Sequence, residues 1–69
     1  MRRFKVNVNI MQNGKLKSKD IITCDVNGKD LNEETIIKRL TNNIKTWQSA
    51  YNKCEIYKCK FIITGYEEV

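Results

Sequence analysis

Lys15, Lys17 and Lys19 stand at alternate positions just after the pair Asn13-Gly14. Cations spaced by two along a strand share one face. A two-stranded ribbon that carries them fits a nucleic-acid groove and neutralises phosphates there. Lysines on a strand edge also have a plainer use, since they keep an exposed strand from pairing with other chains. Both uses are open to this stretch. The other reactive groups offer less. There is no histidine, so the chain lacks the side chain that most often serves as a general base near neutral pH. Ser18 and Ser49 fall on a hairpin flank and a helix face without a base partner. Asp20 and Asp25 have no second carboxylate at a working spacing, and Gly14, Gly28 and Gly65 are isolated turn residues, not a phosphate loop. Cys24, Cys54 and Cys59 include one pair separated by four residues and no matching second pair, which is not a zinc pattern. The expectation is a protein with no catalytic residues, no bound metal and no cofactor.

The elements that position these groups follow from periodicity. Phe4, Val6, Val8 and Ile10 alternate with Lys5, Asn7 and Asn9, the pattern of a strand with one buried face. Asn13-Gly14 is a strong two-residue hairpin signal because both positions need positive φ. Ile22, Cys24 and Val26 anchor the second strand, facing inward. These two anchors disagree. A tight turn at Asn13-Gly14 pairs Val8 with Lys19 and Val6 with Ile21, whereas inward Ile22 and Cys24 need a register moved by one. A one-residue slip turns every side chain to the other face, so a bulge or a longer loop is expected within residues 12 to 20, with the lysines pointing to solvent.

Asn27-Gly28 marks the next turn. Asn32 is a good N-cap, Glu33 and Glu34 suit the positive end of the helix dipole, and Leu31 with Ile36 fits a hydrophobic staple. Ile37, Leu40, Ile44, Trp47 and Tyr51 form the apolar stripe of a helix from about residue 33 to about residue 50, with Trp47 and Tyr51 expected in the core. In a third strand, Tyr57, Cys59, Phe61 and Ile63 share the inward face, Ile56, Lys58, Lys60, Ile62 and Thr64 the outward one, and Gly65 closes it. The fold expected is α+β: ββαβ, a three-stranded antiparallel sheet in order 2-1-3 with one helix packed on one face. Cys24 and Cys59 then lie on opposite flanks of the central strand, too far apart for a disulfide.

At 69 residues, 41% hydrophobic and 30% charged, residues 1 to 69 make a single compact domain near the size at which a core is marginal. No run approaches the length of a membrane span, and the residues after Met1-Arg2-Arg3 alternate in polarity, unlike a signal peptide. The expected setting is the cytoplasm, with reduced thiols and no membrane. A net charge of +5 favours an anionic partner or an acidic protein surface.

Two surfaces emerge as candidates. The open sheet face should gather Arg3, Lys5, Asn7 and Asn9 with Lys58 and Lys60 on one flank and Lys17 and Lys19 on the other. It could bind nucleic acid directly, although it lacks the aromatic residues on which bases usually stack. It also fits a plain solvated sheet face or a protein contact. Ile56 and Ile62 lie on the outward side of an expected edge strand, which could receive a partner strand or a second copy of the chain as a homodimer.

The Lys, Asn and Ile richness of the whole chain and its lone ββαβ unit resemble small accessory proteins of phages and mobile elements of AT-rich bacteria. The resemblance implies a non-enzymatic binding protein that blocks or modulates a host protein or nucleoprotein complex involved in defence. DNA-mimicking inhibitors of that kind are strongly acidic, so the basic charge of this chain argues against mimicry. Direct nucleic-acid binding and a homodimeric structural module are the alternatives.

Overall fold

A computed structural model describes residues 1–29, 31–53 and 58–69. It shows β1 (Arg2–Gln12), β2 (Lys15–Val26), α1 (Glu33–Asn52) and β3 (Cys59–Glu68). The sheet is antiparallel throughout, in the order β2-β1-β3, and α1 covers one face. The ββαβ order and the 2-1-3 topology agree with the sequence pattern. The inward residues of β1, Phe4, Val6, Val8 and Ile10, are all buried. They meet Cys24 and Val26 of β2, Cys59 of β3, and Ile36, Leu40 and Ile44 of α1 in one apolar cluster.

The conflict over hairpin register resolves at a single residue. Asn13 and Gly14 have φ of 53° and 73°, the two positive values of a tight hairpin turn, and Gln12 pairs with Lys15 across it. Further along, Val6 pairs with Ile22 and Phe4 with Cys24. The register shifts between Ile10, opposite Ser18, and Met11, opposite Leu16, so Lys17 is the extra residue of a β-bulge. Turn and core pattern therefore both hold, because the bulge absorbs the one-residue difference.

A second bulge, unexpected from the sequence, lies in β3. Asn7 pairs with Gly65 and Val8 with Ile63, which leaves Thr64 as the extra residue. Its hydroxyl donates to the Asn7 carbonyl. The strand does not end at Gly65. The bulge resets its alternation, so Tyr66 turns inward against Phe4, ring centres 6.1 Å apart in an edge-to-face contact. Glu68 then reaches Arg2, whose Nε and a terminal nitrogen donate to its two oxygens at 2.9 and 2.7 Å.

Asn32 caps α1 as expected, its Oδ1 accepting from the Thr35 N–H at 2.8 Å. The buried stripe is narrower than the apolar pattern. Ile36, Leu40 and Ile44 are buried, but Ile37 is 44% exposed and Trp47 54% exposed, so Trp47 is not a core residue. The reason lies at the other flank of the helix. Gln48 and Asn52, one turn apart, bond to the outer edge of β3 and draw the second half of α1 over that strand. Trp47 is left above the space beside β2. Tyr51 is half-buried, packed edge-to-face on Phe61 at 5.5 Å.

Candidate functional site

Strand alternation and the two bulges decide which residues share the uncovered side of the sheet. Across β1, Asn9 lies between Lys19 and Ile62, Asn7 between Ile21 and Gly65, and Lys5 between Thr23 and Glu67. Nearer the hairpin, Met11 lies between Leu16 and Lys60; at the far end Arg3 lies opposite Asp25. Lys19, Asn7, Asn9, Ile21 and Thr64 line an open depression of about 450 Å³ at the centre of the face. Six of the eight residues expected on this surface are there: Arg3, Lys5, Asn7, Asn9, Lys19 and Lys60.

Lys17 is not. In a bulge two successive residues oppose one, and the first is re-aimed instead of alternating. Lys17 accordingly points to the helix side, where its ammonium donates to the Tyr51 hydroxyl at 2.9 Å and lies 5.3 Å from the ring centre. Lys58 also leaves the face. Its ammonium donates to the Asn52 carbonyl at 2.9 Å, at the C-terminal end of α1. The last carbonyls of a helix lack internal partners, and α1 has no basic residue in its own last turn, so this cation is used there.

Arg3 stays on the face, but its charge is matched. Its Nε donates to Asp25 Oδ1 at 2.9 Å, with a second, longer contact at 3.4 Å. The guanidinium holds the Asp25 carboxyl below the usual range, and the same pairing raises Arg3. The face is therefore less basic than the strand pattern suggests, with Asp25 and Glu67 set among Arg3, Lys5, Lys19 and Lys60. It is also more apolar. Leu16 is 49%, Ile21 59% and Ile62 43% exposed, and no aromatic side chain of the described residues lies on it. Leu16 and Ile21 escape notice in the sequence because their sidedness depends on where the bulge falls.

The expected edge-strand site changes as well. Ile62 is exposed on the open face, whereas Ile56, like Tyr57 and Cys54, lies outside the described residues. The backbone of β3 is not bare at its start. Asn52 Oδ1 accepts from the Cys59 N–H at 2.8 Å, its Nδ2 donates to the Cys59 carbonyl at 3.0 Å, and Gln48 Oε1 accepts from the Phe61 N–H at 2.9 Å. Two helix amides thus occupy the positions a fourth strand would take.

Among the described residues no three His, Cys, Asp or Glu side chains are grouped to hold a metal. Cys24 and Cys59 are buried thiols, and burial pushes the Cys24 thiol upward, away from the reactive thiolate. No described helix is long and apolar enough to cross a membrane. Comparison with known proteins finds no match, whether among family models, curated proteins or solved structures.

Proposed function

We propose that the protein is a non-enzymatic binding protein of the phage or mobile-element accessory kind, whose open sheet face docks on a host protein or nucleoprotein complex. One observation carries the choice of surface: Leu16, Ile21 and Ile62 are exposed among Lys5, Lys19, Lys60, Asn7 and Asn9 on one side of the sheet. Apolar centres ringed by polar groups suit protein contact. A phosphate-binding face would be expected to concentrate cations and stacking rings instead. Here Arg3 is balanced by Asp25, and Glu67 faces Lys5 across the ladder.

The test is capture from a bacterial lysate on the immobilised protein, with and without nuclease, beside the variant Ile21→Asp/Ile62→Asp. Both side chains point away from the core, so the variant keeps its fold, which circular dichroism checks. The reading expects a protein partner that survives nuclease and is lost by the variant. Material released by nuclease, together with salt-steep binding of a labelled oligonucleotide, would hand the site to nucleic acid. Capture unchanged by the double substitution would remove the open face from consideration.

A further inference from the structure

The two edges of the sheet are unequal. On β3, the amides of Gln48 and Asn52 fill the outward positions at Cys59 and Phe61. On β2, among the described residues, the outward backbone groups between residues 18 and 26 meet one partner, and it comes from the strand itself: the Asp20 carboxylate accepts from the Ile21 N–H at 2.8 Å. That bond also fixes parity. The Ile21 N–H points away from β1, so those of Lys19, Thr23 and Asp25 point outward with it, since backbone groups alternate along a strand. Beside this edge lies a groove of about 400 Å³ whose lining includes Ile10, Ile22, Trp47, Tyr51 and Phe61. Trp47, the single tryptophan, borders it with more than half of its surface in water.

We infer that the occupant of this edge is a second copy of the chain, paired β2 to β2 in antiparallel register to give one six-stranded sheet. The bulge at Lys17 interrupts the regular strand, which leaves Ser18–Val26 as the straight segment. Its midpoint is Ile22, so two copies that use the whole segment place Ile22 opposite the partner's Ile22 on a twofold axis. In that register Lys19 meets the partner's Asp25, and Ile21 meets the partner's Thr23. All four are outward-facing positions, as hydrogen-bonded pairs require. Lys19 and Asp25 also share the open face, so the symmetric contact joins opposite charges twice. A carboxylate has room for more than one donor, and Arg3 keeps Asp25 ionised. The partner's Ile22 extends the floor of the groove beneath Trp47. A second copy suits the size of the chain, because a domain of 69 residues gains much from extra burial. Lys19 and Ile21 belong to both surfaces, and the pairing would set two open faces side by side; the backbone change Thr23→Pro tests the pairing without altering either side chain.

Sedimentation equilibrium from roughly 5 to 500 μM, the range in which modest contacts associate, reads the mass directly. The expected result is a rise from 8.1 kDa to about twice that. Thr23→Pro removes an outward N–H and no bond to β1, a substitution edge strands tolerate, and should leave a folded monomer. Lys19→Glu sets like charges against each other twice and should weaken association by about tenfold or more. Ile22→Cys reports register: opposed residues of a non-hydrogen-bonded pair lie about 4.5 Å apart at Cα, within disulfide reach, so mild oxidation should give a covalent dimer that Ile21→Cys does not. A monomer throughout the concentration range would overturn the inference. So would association that ignores both Thr23→Pro and Lys19→Glu, or cross-linking that favours residue 21.

Discussion

The Lys17 ammonium lies 2.9 Å from the Tyr51 hydroxyl and 5.3 Å from the centre of its ring, so one cation joins the bulge of β2 to the last turns of α1. A residue that breaks the strand register thus also ties the hairpin to the helix. Deleting Lys17 should be tolerated. The turn pair Gln12–Lys15 and the core pair Val6–Ile22 are then joined by an unbroken ladder, and the loss is the contact with Tyr51, about 1 kcal/mol. Deleting Thr23 should instead turn Cys24 and Val26 out of the core and unfold the chain. Urea titration of the two deletions checks this: similar losses of stability would mean that the bulge does not hold the register.

Burial separates two residues of the helical stripe. Leu40 is 1% exposed at the centre of the core, and Leu40→Ala should cost about 2–5 kcal/mol. A domain of this size holds only about 3–5 kcal/mol, so that variant should be largely unfolded at room temperature. Trp47→Ala, at a side chain 54% exposed, should cost under about 1 kcal/mol in the single chain. Thermal unfolding followed by far-ultraviolet circular dichroism at low micromolar concentration, where association is negligible, distinguishes them. A collapse of the Trp47 variant under those conditions would place that ring in the core after all.

The sheet could be read from the sequence because alternation in β1 and the turn at Asn13-Gly14 are local signals that tertiary packing did not override. The open face could be read only in part. Sidedness is inherited along a strand, so a bulge changes every assignment beyond it. The bulge at Lys17 was implied by two anchors that disagreed, but nothing said which lysine would be re-aimed. The bulge at Thr64 has no such clue, since a glycine commonly ends a strand, and the inward turn of Tyr66 beyond it is hidden for the same reason. Trp47 departs from the helical pattern for a different reason. Helical spacing puts it on the inward face, but where that face meets the sheet depends on Gln48 and Asn52, whose partners are backbone groups of β3 and leave no trace in hydrophobic periodicity.

Those two amides should protect an edge as well as position a helix. Asn52→Ala removes both bonds from the amide to the partly buried Cys59 N–H and carbonyl, and should cost about 1–3 kcal/mol. Amide exchange at Cys59 should quicken while that of Val6, on the central strand, changes only with global stability. The pair Gln48→Ala/Asn52→Ala opens the start of β3 to other chains and should associate beyond a dimer, since a chain with two free edges has no closed assembly. Light scattering settles that point: a double variant no larger than the wild type would show that the amides do not guard the edge.

Acid sensitivity should arise at the end of the sheet where both termini meet. Arg2 holds the Glu68 carboxyl below the usual range through paired hydrogen bonds, and Arg3 does the same to Asp25. A carboxyl lowered in the folded chain binds its proton later there than in the unfolded chain. Its contribution is therefore complete above the unfolded value near pH 4, declines as pH falls through the folded value, and is gone when both states are protonated. Carboxyl carbon shifts followed by NMR should show Glu68 and Asp25 titrating late on acidification. Arg2→Gln should return Glu68 to the ordinary range and leave Asp25 low, and Arg3→Gln should do the reverse. Because both pairs are exposed, high salt should shrink the two shifts together. The Arg2 pair carries a further consequence, since that guanidinium also covers the Phe4 ring at 5.5 Å. Arg2→Gln should therefore loosen the Phe4–Tyr66 contact, visible as a change in the Tyr66 ring resonances, whereas Arg3→Gln on the opposite face should leave them unmoved. Equal perturbation of the rings by both variants would mean that the two arginines do not act on separate faces.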